Sequence, residues 1–143
     1  MKQLDREAVE RIWQRVQGDT SAEMPSVLPL LYRAIQLKEG YARLQRLFPG
    51  ETAPQQLLQQ QENHIRILRG LCLLREESPP AFAGSRAEPG MGQSLLRRCI
   101  GLTLQAQRDY LRLGQEPEFG AVFDYLQRQS VQQCKELLAL YGG

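Results

Sequence analysis

Along most of this chain apolar residues recur at alternating steps of three and four, the spacing that lines one face of an α-helix. Between residues 26 and 48 the stripe is Val27, Leu30, Ala34, Leu37, Tyr41, Leu44 and Phe48. Residues 54–75 carry Leu57, Gln61, His64, Leu68 and Leu71 at the same spacing. Residues 94–114 carry Leu96, Cys99, Thr103, Ala106, Tyr110 and Leu113, and 122–140 carry Leu126, Ser130, Gln133, Leu137 and Leu140. A shorter amphipathic run over 4–17 sets Leu4, Ala8 and Ile12 beside Val9, Trp13 and Val16 and stops at Gly18. No segment alternates with period two, so strands are not expected. The pattern predicts an all-α chain: a short N-terminal helix within 1–18, then four long helices within 19–143 forming one antiparallel bundle.

Turn chemistry supplies the boundaries. Thr20 to Glu23 has the form of a capping box, and Pro25 and Pro29 fit only the opening turn of the helix that follows. Pro49-Gly50 ends that helix, and Pro54 suits the first turn of the next. The stretch 78–92, with its SPP, AGS and EPGMG runs, is expected as a loop, and Glu116-Pro117-Glu118-Phe119-Gly120 as a turn.

An offset of 69 residues carries the first long helix onto the third and the second onto the fourth without a gap. Tyr41 falls on Tyr110, Leu44 on Leu113, Leu57 on Leu126, Leu68 on Leu137 and Leu71 on Leu140; off the stripe, Gln36, Arg43 and Gln60 fall on Gln105, Arg112 and Gln129. A composition in which Leu and Gln supply 41 of 143 residues would give about three or four such identities by chance. The shared register over two helices and their turn reads as an internal duplication, two helical hairpins joined by the 78–92 loop. That loop is long enough to cross the bundle and start the second hairpin from the opposite end.

Composition narrows the function classes. The 18 basic and 16 acidic residues are interspersed and leave a net charge of +2. No concentrated basic face exists to engage phosphates, so a nucleic-acid partner is not expected, and Arg97-Arg98 reads as the solvated side of a helix. Cys72, Cys99 and Cys134 lie far apart with no CxxC pair, which supports neither a zinc knuckle nor a disulfide framework. The charged opening MKQLDREAVERIW lacks the apolar core of a signal peptide, and no apolar run approaches the roughly 18 residues of a membrane span. The cytoplasm is the expected compartment.

Two hairpins with a long crossover resemble the plan of the ferritin-like superfamily. The segments LYRAIQLKEGYARLQRLFPG and LLQQQENHIRILRGL are similar to the first hairpin of its rubrerythrin branch. LLRRCIGLTLQAQRDYLRL and VFDYLQRQSVQQCKELLAL are similar to the second, so that the resemblance covers about residues 26–141. It implies a di-metal centre in which each hairpin gives one Glu from its first helix and a Glu-x-x-His from its second, hard oxygens and imidazoles around two iron or manganese ions. Carried onto this chain, the first-helix positions are Ala34 and Thr103, each seven residues before Tyr41 or Tyr110. The Glu-x-x-His positions are Gln61/His64 and Ser130/Gln133. All six fall on the stripes derived from periodicity alone.

Only His64 is a ligand type, and no carboxylate stands at any of the six positions. Neutral side chains would leave two divalent ions uncompensated in a low-dielectric interior, at a cost of many kcal/mol. Glu39 and Glu62 are near in sequence but turned away from the stripe. The chain is therefore expected to be a ferritin-like bundle without metal, cofactor or catalytic residues, a scaffold or interaction protein, with a homodimer through helix faces as one form of association. One alternative is a reduced metal-binding or oxidoreductase site that holds iron or zinc weakly at His64. Another is a small-molecule pocket lined by Gln61, His64, Thr103, Ser130 and Gln133 in the space the metals would occupy. The plainer reading of His64 is an interior histidine hydrogen-bonded to Gln133 or Gln61. Tyr41 and Tyr110 read as a symmetric pair of buried tyrosines, the cysteines as small buried hydrophobes, and Trp13 as an anchor of the N-terminal helix on the bundle or on a second subunit.

Overall fold

The structure, a computed structural model, describes residues 26–77 and 92–142. The expected N-terminal helix, the Thr20–Glu23 capping box and nearly all of the 78–92 loop lie outside those residues. Four helices account for the rest: α1 (Leu28–Leu47), α2 (Ala53–Leu74), α3 (Gly92–Leu113) and α4 (Gly120–Gly142). No strand occurs among the described residues.

The prolines act as their chemistry requires, with one in the first turn of α1 and one in the first turn of α2. The cap of α1 comes from a distant residue. Val27 at its N-cap offers no side-chain bond, and the Glu77 carboxylate accepts the Val27 N–H at 3.1 and 3.3 Å, while Ser26 Oγ accepts from Leu28 N at 3.2 Å. Glu77 is delivered there by the end of α2. Glu77 N donates to Cys72 O at 2.8 Å and Glu76 N to Leu73 O at 3.1 Å, the paired bonds of a Schellman ending, with Glu76 at φ 57° in the left-handed position usually held by glycine. Three boundaries differ from expectation. α1 begins at Leu28 with Val27 as its N-cap, later than a start at the Thr20–Glu23 box would give. α3 begins at Gly92, two residues before Ser94, and α4 begins at Gly120, two before Val122. At α4 the reason is local: the Glu116 carboxylate accepts the Phe119 N–H at 2.6 Å, and Phe119 O accepts from Val122 and Phe123. Gly120 also has to be a glycine, because a Cβ there would lie 2.6 Å from Gly114 O.

α1 packs on α2 and on α3, and α4 on α3 and more loosely on α2, while the diagonal pairs stand farther apart across the bundle and meet through side chains alone. Every neighbouring pair is antiparallel. Arg33 pairs with Asp109, and further along α1 Tyr41 meets Thr103. Gln61 meets Gln133, and His64 meets Gln129. α2 therefore ends beside Val27 and α3 begins beside Leu44, at opposite ends of the bundle. The stripes supply the core. Leu44, Leu57, Leu68, Leu126 and Leu137 are fully buried, and stripe positions related by 69 residues share burial almost throughout. Leu140, placed on the fourth stripe, is only half-buried because it lies in the last turn of α4.

Candidate functional site

The apolar core is not continuous. One cluster gathers Val27, Leu31, Leu68, Leu113, Phe123 and Leu126 at the end where α1 starts. A second gathers Leu37, Leu44, Leu57, Leu96, Cys99 and Leu137 at the other end. Between them, at mid-height on all four helices, sit the six positions singled out from the sequence: Ala34, Gln61, His64, Thr103, Ser130 and Gln133, each buried to 1% exposure or less. Burial of five polar side chains is costly unless each finds a hydrogen-bond partner.

They find them mostly in one another and in backbone. Gln61 Nε2 donates to the Ala34 carbonyl at 3.0 Å, and Gln133 Nε2 donates to Gln61 Oε1 at 3.1 Å, linking α1, α2 and α4 in one chain. Tyr41 and Thr103 hydroxyls share a bond at 2.9 Å across α1 and α3. Ser130 turns back on its own helix and donates to Leu126 O at 2.9 Å. At the 69-residue offset Tyr110 corresponds to Tyr41, but the counterpart of Thr103 is Ala34, which has no hydroxyl. Tyr110 instead meets the His64 ring edge-on at 6.4 Å and stacks on Phe123 at 6.3 Å.

His64 pairs with neither Gln133 nor Gln61, the partners expected from the sequence, since those two amides bond to each other. Its Nε2 lies 2.5 Å from Gln129 Oε1. Gln129 Nε2 donates to Tyr125 Oη at 2.8 Å, which leaves Gln129 Oε1 as an acceptor and so places the imidazole proton on Nε2. Asn63 Nδ2 reaches the same Tyr125 oxygen at 3.4 Å. Burial lowers the His64 pKa below its ordinary 6.5, with the Gln129 bond opposing, so the ring is neutral at pH 7. The signal for Gln129 was present in the sequence as the off-stripe identity with Gln60, whose role periodicity alone does not show. Nothing in the sequence marked Tyr125 or Asn63.

The remaining ionisable groups of the interior are held neutral. Burial raises the Tyr41 and Tyr110 hydroxyls, the former against the lowering bond from Thr103. Burial pushes the Cys99 thiol up to about 12 and also raises Cys72 and Cys134, which suits inert packing rather than nucleophilic sulfur. Glu62 is exposed and lies 3.9 Å from Lys38, outside the interior. Two buried acceptors, Gln60 Oε1 on α2 and Glu136 Oε2 on α4, have no partner among the described residues, and both lie off the stripes. Among the described residues no group of three or more His, Cys, Asp or Glu side chains could hold a metal ion, and no helix is long and apolar enough to cross a membrane. No family model, curated protein or solved structure matches the chain.

Proposed function

We propose that the chain is a ferritin-like bundle of the rubrerythrin type whose di-metal centre has been replaced by a hydrogen-bonded neutral layer, and that it works as a non-enzymatic scaffold through its surface. The observation that carries this reading is the layer itself. A polar belt at mid-height between two apolar clusters is where such a bundle would hold its metals, and here the belt is closed by the Gln133–Gln61–Ala34 chain and the Tyr41–Thr103 bond. Two hairpins whose connection joins opposite ends of the bundle support the same lineage.

The two alternatives have less behind them. A metal at His64 would have one neutral imidazole, already bonded through Nε2, and no carboxylate at the other five positions of the layer to offset charge. A small-molecule pocket needs polar groups left without partners, whereas the interior amides and hydroxyls that would line it bond within the protein. Surface action is favoured by apolar side chains left in solvent, above all Leu73 and Leu74 at the end of α2, 76% and 71% exposed.

The test is metal loading. Protein purified after growth with abundant iron and manganese is expected to carry far less than one metal per chain. Ferrous iron and oxygen should then give no oxo-bridged absorption and no ferroxidase turnover. Two equivalents of iron held against a chelator at neutral pH would overturn the reading.

A further inference from the structure

The second hairpin carries an apolar stripe on its outside that the first hairpin lacks. On α3, Asp109 marks the side facing α1, through its pair with Arg33. Leu104 and Leu111 stand about 140° and about 160° round the helix from it. On α4, Tyr125 and Gln129 mark the side facing α2, and Val131 and Leu138 stand on the far side, toward α3. Leu104, Leu111 and Leu138 are 38%, 57% and 51% exposed. The turn between Leu113 and Gly120 brings Leu138 level with about residue 95, so the stripe runs about 24 Å from Leu111 to Leu138. The positions 69 residues earlier are Ile35, Ala42, Glu62 and Arg69, a face with its own Lys38–Glu62 pair.

We infer that residues 4–17 fold as a helix into this outer groove between α3 and α4, with Trp13 against Leu104 and Leu111. The segment has the matching form: Leu4, Ala8, Val9, Ile12, Trp13 and Val16 make one apolar face. As a helix its 14 residues span about 21 Å, close to the length of the stripe. The tether fits as well. Val27 packs in one cluster with Leu113 and Phe123, so the chain enters the bundle at the Leu111 end, and residues 18–25 can reach up to about 26 Å. Val16 and Trp13 then lie toward Leu111 and Leu4 toward Leu138.

A second copy of the chain is the weaker occupant. A stripe of that length and about one helix width offers roughly 240 Å² per partner, against the roughly 800 Å² typical of a stable interface. A tethered helix needs less, because the tether holds it near the groove at an effective concentration in the millimolar range.

Trp13 is the only tryptophan of the chain, so its fluorescence reports the docking directly. The intact protein is expected to show blue-shifted emission, shielded from acrylamide and independent of protein concentration. Leu104→Gln with Leu111→Gln should shift the emission red and raise quenching several-fold toward that of free indole. Both positions are exposed, so far-UV circular dichroism of the bundle should be retained. Leu73→Gln with Leu74→Gln should leave Trp13 as in the parent. Solvent-like emission in the parent, or a shielded Trp13 indifferent to Leu104 and Leu111, would overturn the inference. Shielding that disappears on dilution, together with dissociation of a dimer in sedimentation, would give the groove to a second copy and overturn it equally.

Discussion

Replacing Gly40 by alanine tests a close approach between α1 and α3. An ideal Cβ at this position would lie 2.7 Å from Cys99 Sγ, short of ordinary contact by about 0.7 Å or more. Cys99 is buried and has one side-chain torsion, and a small cavity lined by Gly40, Leu95, Cys99 and Leu102 leaves the sulfur limited room to yield. Overpacking of this kind costs about 1–3 kcal/mol, while alanine in place of glycine within a helix returns about 1 kcal/mol. Gly40→Ala alone is therefore expected to change stability by between nothing and about 2 kcal/mol of loss. Cys99→Ala alone should cost about 1 kcal/mol through lost burial. In the Cys99→Ala background the obstruction is gone, and Gly40→Ala should stabilise by about 1 kcal/mol. The double-mutant cycle then has a coupling of about 1–3 kcal/mol, read from urea midpoints at unchanged slope. Gly70 and Gly101 are internal controls. No atom lies within 4 Å of a Cβ at either, so alanine should stabilise each by about 0.5–1 kcal/mol without any second change. A coupling below about 0.5 kcal/mol would show that the helices do not meet at Gly40 and Cys99 as described.

Other perturbations follow from the same packing. Leu68, fully buried in the cluster with Phe123 and Leu126, should cost roughly 2–5 kcal/mol when cut to alanine, and a variant as stable as the parent in urea would remove that stripe from the core. Acid should weaken the fold in two stages. Burial lowers the His64 pKa, so its contribution is complete above about pH 6.5 and declines as pH falls below that value; His64→Gln should flatten the stability profile between pH 7 and 5, and an unchanged profile there would refute the assignment. Burial acts to raise the Glu77 carboxyl, but bonds from Ser26, Arg75 and Val27 outweigh it and hold the group below its ordinary 4.5. Its contribution is thus present above about pH 4.5 and lost as pH falls through the lowered value. Glu77→Gln should cost on the order of 1 kcal/mol at pH 7 and lose that second stage; equal acid curves for variant and parent would show that Glu77 does not cap α1.

Glu77 also shows the kind of feature that local sequence reasoning does not reach. The prolines, the Pro49-Gly50 break and the 3-4 spacing each act within one turn of helix, so they are legible without a partner. The cap on α1 comes from 50 residues away and depends on a left-handed Glu76 that no rule of composition announces. The Arg33–Asp109 pair is hidden for the same reason: the two residues lie off their stripes and meet only because α1 and α3 run antiparallel side by side.

By itself the sequence determined the four helices, their buried faces and the neutrality of the mid-height layer. Helix periodicity fixes which side chains share a face, and side-chain chemistry fixes what charge they can bring to the interior. Tertiary structure decided how that layer is satisfied. Gln133 bonds to Gln61, His64 turns to Gln129, and Tyr110 stacks where Tyr41 finds a hydroxyl. Each choice depends on how closely side chains on separate helices approach one another. Periodicity specifies a direction around one helix axis. A hydrogen bond also needs the height and separation of a second helix, and those arise only when all four pack together.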